Sequence, residues 1–184
     1  MTRPPLDLGA LLPEIELIQD DSLRERVAAV WQDIWAESGF DEVADVPIGP
    51  EIPHSHLPHN RAVVAMALSI ADALERFHGI GVDRDVLVAA GLLQDVSKLV
   101  EMTPRDGGVE PTELGRGFQH AFWATHKAFE YGLPMEVCEI VMNHTPQSPR
   151  FPRSLEGKIL WYADQLDLIA VSGERWAKRL YLTR

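Results

Sequence analysis

His59, the Gln94–Asp95 pair, His120, His144 and Asp164 follow one another along the chain at separations of 35, 25, 24 and 20 residues. Imidazole and carboxylate are the side chains that hold divalent first-row metals, and aspartate can bridge two ions. Separations of this size put each residue on a different helix. Helical proteins build metal sites in that way, with single side chains from several helices converging on a bundle core. A pair of ions held so would polarise a substrate and generate a nucleophile from water. Lys98, three residues after Asp95, lies on the same helix face, either as an ion-pair partner or as a contact for an anionic substrate.

The elements that must position these residues read as almost entirely helical. A capping-box signal at Ser22 and Glu25 opens a helix whose apolar positions are Val27, Val30, Trp31, Ile34 and Trp35, and Gly39 closes it. The segment "FDEVADVPIGPEIPHSHLPHN" follows as a proline-rich linker or flap. A second helix is expected from about His59 to Phe77, with Gly79 as its stop. Asp83 caps a third, with a buried stripe of Val86, Ala89, Ala90, Leu93, Val96 and Leu99. Residues 102–117, "MTPRDGGVEPTELGRG", form the longest irregular piece, and their Arg105, Glu113 and Arg116 are placed on a lid. A fourth helix runs over about 118–131. Pro134 starts a fifth that ends near His144, and Ser154 caps a last one that continues past a kink at Gly173. No strands are expected. The fold class is therefore all-α, a compact multi-helix bundle, with residues 1–54 packed on a main domain of residues 55–184.

Bulk composition narrows the function. The formal charge is 17 − 28 = −11, so the surface as a whole repels nucleic acid and anionic membranes. A single cysteine, Cys138, rules out an internal disulfide and fits a reducing compartment. The N-terminal apolar run is too interrupted for a leader, and no window reaches the roughly 18 apolar residues of a membrane span. A cytoplasmic protein without nucleic-acid or membrane partners is the expectation. Trp31, Trp35, Trp123, Trp161 and Trp176 are assigned to core or dimer packing, so a homodimer stays among the expected assemblies; only Trp161 and Tyr162, near Asp164, are candidates to line a pocket. His54 and His56, in "HSH", are read as solvated loop rather than extra ligands.

Over about residues 55–170 the sequence resembles the HD-domain superfamily of metal-dependent phosphohydrolases. The resemblance rests on the order H…HD…H…H…D, on "LLQDVSKLVE" where that superfamily commonly has LLHDxxK, on the "GLP" before the helix ending in His144, and on "YADQLD" around Asp164. It implies His59 as first ligand, Asp95 as central and bridging carboxylate, His120 and His144 as the histidines of a second metal position, and Asp164 as last ligand. His126, on the same helix, competes with His120 for its role. Lys98 would face the substrate's anionic group, with Arg150 and Arg153 completing the contact. Gln94 departs from the pattern: it stands where the paired histidine should be and is a weak ligand at best. The implied cofactor is one or two divalent ions among Mn, Fe, Co, Ni, Zn and Mg. The implied function is hydrolysis of a small phosphate ester or nucleotide, with Asp95 and Lys98 as catalytic residues. Two alternatives stay open: an HD-type diiron oxygenase cleaving C–P or C–C bonds, and a degenerate HD domain that binds without catalysis.

Overall fold

The computed structural model describes residues 3–172 apart from Pro149. The chain order is α1 (Leu8–Leu11), α2 (Asp21–Glu37), the hairpin β1 (Pro47–Gly49) and β2 (Ile52–Ser55), α3 (His56–His78), α4 (Arg84–Leu93) and α5 (Lys98–Glu101). A second hairpin, β3 (Met102–Arg105) and β4 (Gly108–Pro111), precedes α6 (Glu113–Gly117), α7 (Phe122–Glu130), α8 (Met135–Asn143) and α9 (Leu155–Ser172). The all-α class holds: the two hairpins stand apart from each other and no closed sheet forms. Among the described residues, no helix is long and apolar enough to cross a membrane. Trp176 and the expected kink at Gly173 lie outside the described residues.

Local chemistry accounts for most boundaries. Asp83 caps α4 through Val86 N at 3.0 Å, as expected, and Gly79 closes α3. The cap of α2 is Asp20, whose carboxylate accepts from Leu23 N at 3.1 Å, rather than Ser22. An ionised cap also meets the positive end of the helix dipole. The first turn of α3 begins at His56, because Ser55 caps it through Leu57 N.

Three expectations are corrected. The helix expected through Leu99 stops at Leu93, and a turn over residues 94–97 separates α4 from α5. The segment 102–117 is not irregular: it contains β3, β4 and α6. Asp106 and Gly107 make its two-residue turn, with Gly107 at φ 84, and Arg105 pairs directly with Gly108. Asp-Gly is the dipeptide such turns favour. The proline-rich linker likewise contains β1 and β2.

The core centres on α4, buried over all residues from Val86 to Leu93. Neighbours on every side leave α4 no solvated face, so the turn that follows it is held deep in the protein. Two side chains of the N-terminal region reach across to fix that turn: Trp31 Nε1 donates to the Leu92 carbonyl at 3.0 Å, and Ser38 Oγ to the Leu99 carbonyl at 2.7 Å. On the other side α6 presses against the end of α5. A Cβ on Gly115 would lie 2.1 Å from the Glu101 carbonyl oxygen, an approach only glycine permits. Gly115→Ala is therefore expected to destabilise the protein by about 2 kcal/mol. That corresponds to a loss of roughly 4–8 °C in thermal midpoint for a chain of this size. An unchanged melting curve would contradict the packing described.

Candidate metal centre

Asp95 occupies the turn between α4 and α5 and is 1% exposed. Each of its carboxylate oxygens faces a different set of groups. Oδ1 lies 3.0 Å from His120 Nε2 and 3.6 Å from His144 Nε2. Oδ2 lies 3.1 Å from His59 Nε2 and 2.7 Å from Lys98 Nζ. His59 Nε2 is in turn 3.2 Å from Asp164 Oδ1. Two triads of donor atoms result, Asp95–His120–His144 and His59–Asp95–Asp164, each with its ligand atoms within 4.8 Å of one another.

The far nitrogens of the three rings explain the near ones. His59 Nδ1 lies 2.6 Å from Asp167 Oδ2, His120 Nδ1 2.7 Å from Glu101 Oε2, and His144 Nδ1 2.7 Å from the Val141 carbonyl. An acceptor at Nδ1 places the ring proton there, so each neutral imidazole points its Nε2 lone pair at Asp95. Carboxylate or carbonyl behind a histidine is the arrangement that orients metal ligands and raises their basicity. The buried Nε2 atoms of His59 and His144 make no hydrogen bond of good geometry despite the nearby oxygens. Imidazole nitrogens and carboxylate oxygens converging in this way suit a shared cation, which would displace the protons they otherwise share. The donor set therefore fits a divalent ion at either triad.

Glu101 does double duty. Its Oε1 accepts from Ala121 N at 3.2 Å, next to His120. Ala121 has φ 68, an uncommon conformation for a residue with a side chain, and it opens α7. One carboxylate thus holds both the imidazole and the strained backbone that carries it.

Electrostatics follow from burial and crowding. Burial alone would raise the Asp95 carboxyl, but the Lys98 ammonium and the three histidines hold it well below the usual carboxylate range. Burial opposes charge on His59, yet Asp164, Asp167 and Asp95 together push it up to about 11. His120, also opposed by burial, is pushed up to about 9 by Glu101 and Asp95. Without an ion these lone pairs take protons.

The expected ligands assemble, and the choice between two histidines resolves in favour of His120. The exposed His126 packs against Phe122 and Trp123 instead. Gln94 is 0% exposed, and neither its amide oxygen nor its nitrogen has a hydrogen-bond partner. His54 and His56, read together as solvated loop, part company. His54 lines the cavity described below, whereas His56 is fully buried, stacks on Trp31, and is depressed by burial to about 4, so it stays neutral.

The triads open on a cavity of about 660 Å³, into which Lys98, Glu101, His120, His144 and Asp164 project, with Ile48, Ile52 and Leu168 among its apolar walls. Arg150 and Arg153, expected to complete an anion contact, are not among the residues that line it. Arg150 is exposed, and Arg153 lies 3.7 Å from Glu139 on α8, drawn to that carboxylate rather than to the site. Trp161 and Tyr162 are also absent from the lining and pack with Phe151. Of the segment assigned to a lid, Met102, Pro111 and Gly115 form part of the wall, while Arg105 pairs with Glu110 within the hairpin. Sequence reasoning missed Glu101 and Asp167. Each sits three residues after a residue already singled out, Lys98 and Asp164, and that i,i+3 spacing was the available signal.

The chain is similar to a phosphodiesterase. Over 168 residues it is 29% identical to the dihydroneopterin 2′,3′-cyclic phosphate phosphodiesterase of Methanocaldococcus jannaschii, a match covering 85% of this chain and 67% of that protein. No protein-family model matches the chain. No solved structure matches it either.

Because the carboxylates around His120 favour its protonated form in the ion-free protein, loading a divalent ion at Asp95, His120 and His144 must expel that proton. Apparent affinity is expected to rise with pH from neutrality toward about 9, where His120 gives up its proton. Calorimetric titration with Mn²⁺ in buffers of different ionisation enthalpy measures this directly. Heats that do not depend on the buffer would contradict it.

Proposed function

We propose that this chain is a metal-dependent phosphohydrolase of the HD type, acting on a small phosphate ester, with a cyclic phosphodiester as the favoured class. The observation that carries the proposal is the pair of donor triads sharing Asp95 and opening on one cavity with Lys98. The similarity to a cyclic-phosphate phosphodiesterase supports the substrate class. The cavity volume of about 660 Å³ lies within the usual range for small-molecule sites.

Asp95, His120 and His144 would hold one ion, and His59 and Asp164 would join Asp95 at the second position. A bound divalent ion lowers the pKa of water and withdraws charge from phosphoryl oxygens. The protein's own part is positioning and charge. Glu101, Asp167 and the Val141 carbonyl keep three imidazoles in the tautomer that presents Nε2. Lys98 is the one lysine or arginine lining the cavity among the described residues, and it offsets the charge of the substrate phosphate. Ile48, Ile52 and Leu168 add apolar wall to the cavity, and low-dielectric surroundings strengthen electrostatic contacts. In the reaction, water adds to phosphorus and one P–O ester bond breaks. A cyclic diester opens to a monoester, and the leaving oxygen takes a proton.

The oxygenase alternative requires two firmly held ions, and Gln94 removes an imidazole from one position. The non-catalytic alternative leaves the converging donor atoms of His59, Asp95, His120, His144 and Asp164, beside a cavity, without a purpose.

Hydrolysis of a 2′,3′-cyclic nucleotide and of bis(p-nitrophenyl) phosphate is expected only with an added divalent ion, and chelator should abolish it. Asp95→Asn is expected to lose at least ~100-fold, since even outer-shell partners of a metal are worth roughly 10–100-fold. Turnover that survives chelation, or that persists in Asp95→Asn, would overturn the proposal.

A further inference from the structure

We propose that the Lys98 ammonium takes the place of one of the two cations, so that the chain works with a single divalent ion held by Asp95, His120 and His144. Lys98 Nζ stands 2.7 Å from Asp95 Oδ2, the same oxygen that His59 Nε2 approaches at 3.1 Å. That oxygen is the one an ion in the His59–Asp95–Asp164 triad would need. Among the described residues no lysine or arginine pairs with Oδ1, which faces the two imidazoles of His120 and His144. The two halves of the centre therefore differ in kind. One already contains a lysine ammonium on its carboxylate oxygen, and the other pairs its oxygen with imidazoles alone, which give up their protons to a metal ion.

Gln94 points the same way. It replaces an imidazole by a neutral amide, it is fully buried, and neither of its polar atoms is engaged. The residue directly before Asp95 on the turn is thus an amide that supplies no imidazole to the centre. A divalent ion in the His59–Asp95–Asp164 triad would share Oδ2 with Lys98, and two cations on one buried oxygen repel strongly where water cannot screen them. Lysine suits the substitution. Its ammonium is a compact point charge with three donors on a flexible stem. One donor goes to Asp95, and Lys98 lines the cavity, so the others are available to a phosphate oxygen. The ammonium then links Asp95 to the substrate, as a second metal ion would. This last role rests on the phosphohydrolase reading; the ion count does not.

The test is metal stoichiometry of the whole chain, stripped by chelator, reloaded with excess Mn²⁺ and measured by elemental mass spectrometry and by equilibrium titration. Wild type is expected to saturate at one Mn²⁺ per chain. Lys98→Met is expected to gain a second, weaker equivalent at the His59–Asp95–Asp164 triad, and Lys98→Arg, which keeps the charge, to stay at one. Thermal unfolding confirms that each variant is folded. Two equivalents in wild type would overturn the inference without need of any variant. So would a folded Lys98→Met that saturates at one. If the counts come out as expected and no phosphate ester is turned over, the inference stands and the proposed function falls.

Discussion

Burying the carboxylate of Asp95 takes a full charge out of water, and the surrounding structure is organised around matching that charge. A lone buried carboxylate would carry a penalty of several kcal/mol. Here it meets one ammonium and three imidazoles, delivered by α3, the α4–α5 connection, the start of α7 and the end of α8. Each element is held by contacts that have nothing to do with a ligand. The site is thus costly to build and inexpensive to keep, because the apolar core around α4 fixes the turn on which Asp95 sits.

The same constraint explains the acidic residues behind the ring. Asp167, Glu101 and the Val141 carbonyl each accept a hydrogen bond from an Nδ1, which turns the opposite nitrogen toward Asp95. The two halves of the centre are nonetheless unequal. The His120–His144 half presents two imidazoles to Oδ1, whereas the His59 half shares Oδ2 with the Lys98 ammonium. An uneven centre of this kind can still polarise a phosphate, since charge and orientation are what phosphoryl transfer asks of a protein.

Much of this was legible in the sequence because ligands have characteristic chemistry and the helices that carry them have periodic cores. His59, Asp95, His120, His144 and Asp164 could be picked out by type and spacing, and the structure brings all five together. The break after Leu93 could not, because Val96 and Leu99 continue the apolar stripe straight through the turn. Glu101 and Asp167 were passed over since an acidic residue one turn along a helix looks like a solvated face. Asp106–Gly107 did carry a hairpin signal, but strands of four residues with polar faces give no period to read. Arg150 and Arg153 lie on a basic loop near His144 in sequence but do not line the cavity, and Arg153 sits 3.7 Å from Glu139, a tertiary neighbour that no local pattern announces.

The account stands or falls on a divalent ion at Asp95. Crystals of the whole chain grown with Mn²⁺ and measured for anomalous scattering address that directly. An anomalous peak bonded to Asp95 Oδ1, His120 Nε2 and His144 Nε2 at about 2.0–2.3 Å is the predicted result, by the distances such ligands keep to first-row metals. A map with no ion at these three atoms under saturating Mn²⁺ would contradict it, and the converging imidazoles would then be a structural cluster held by protons alone.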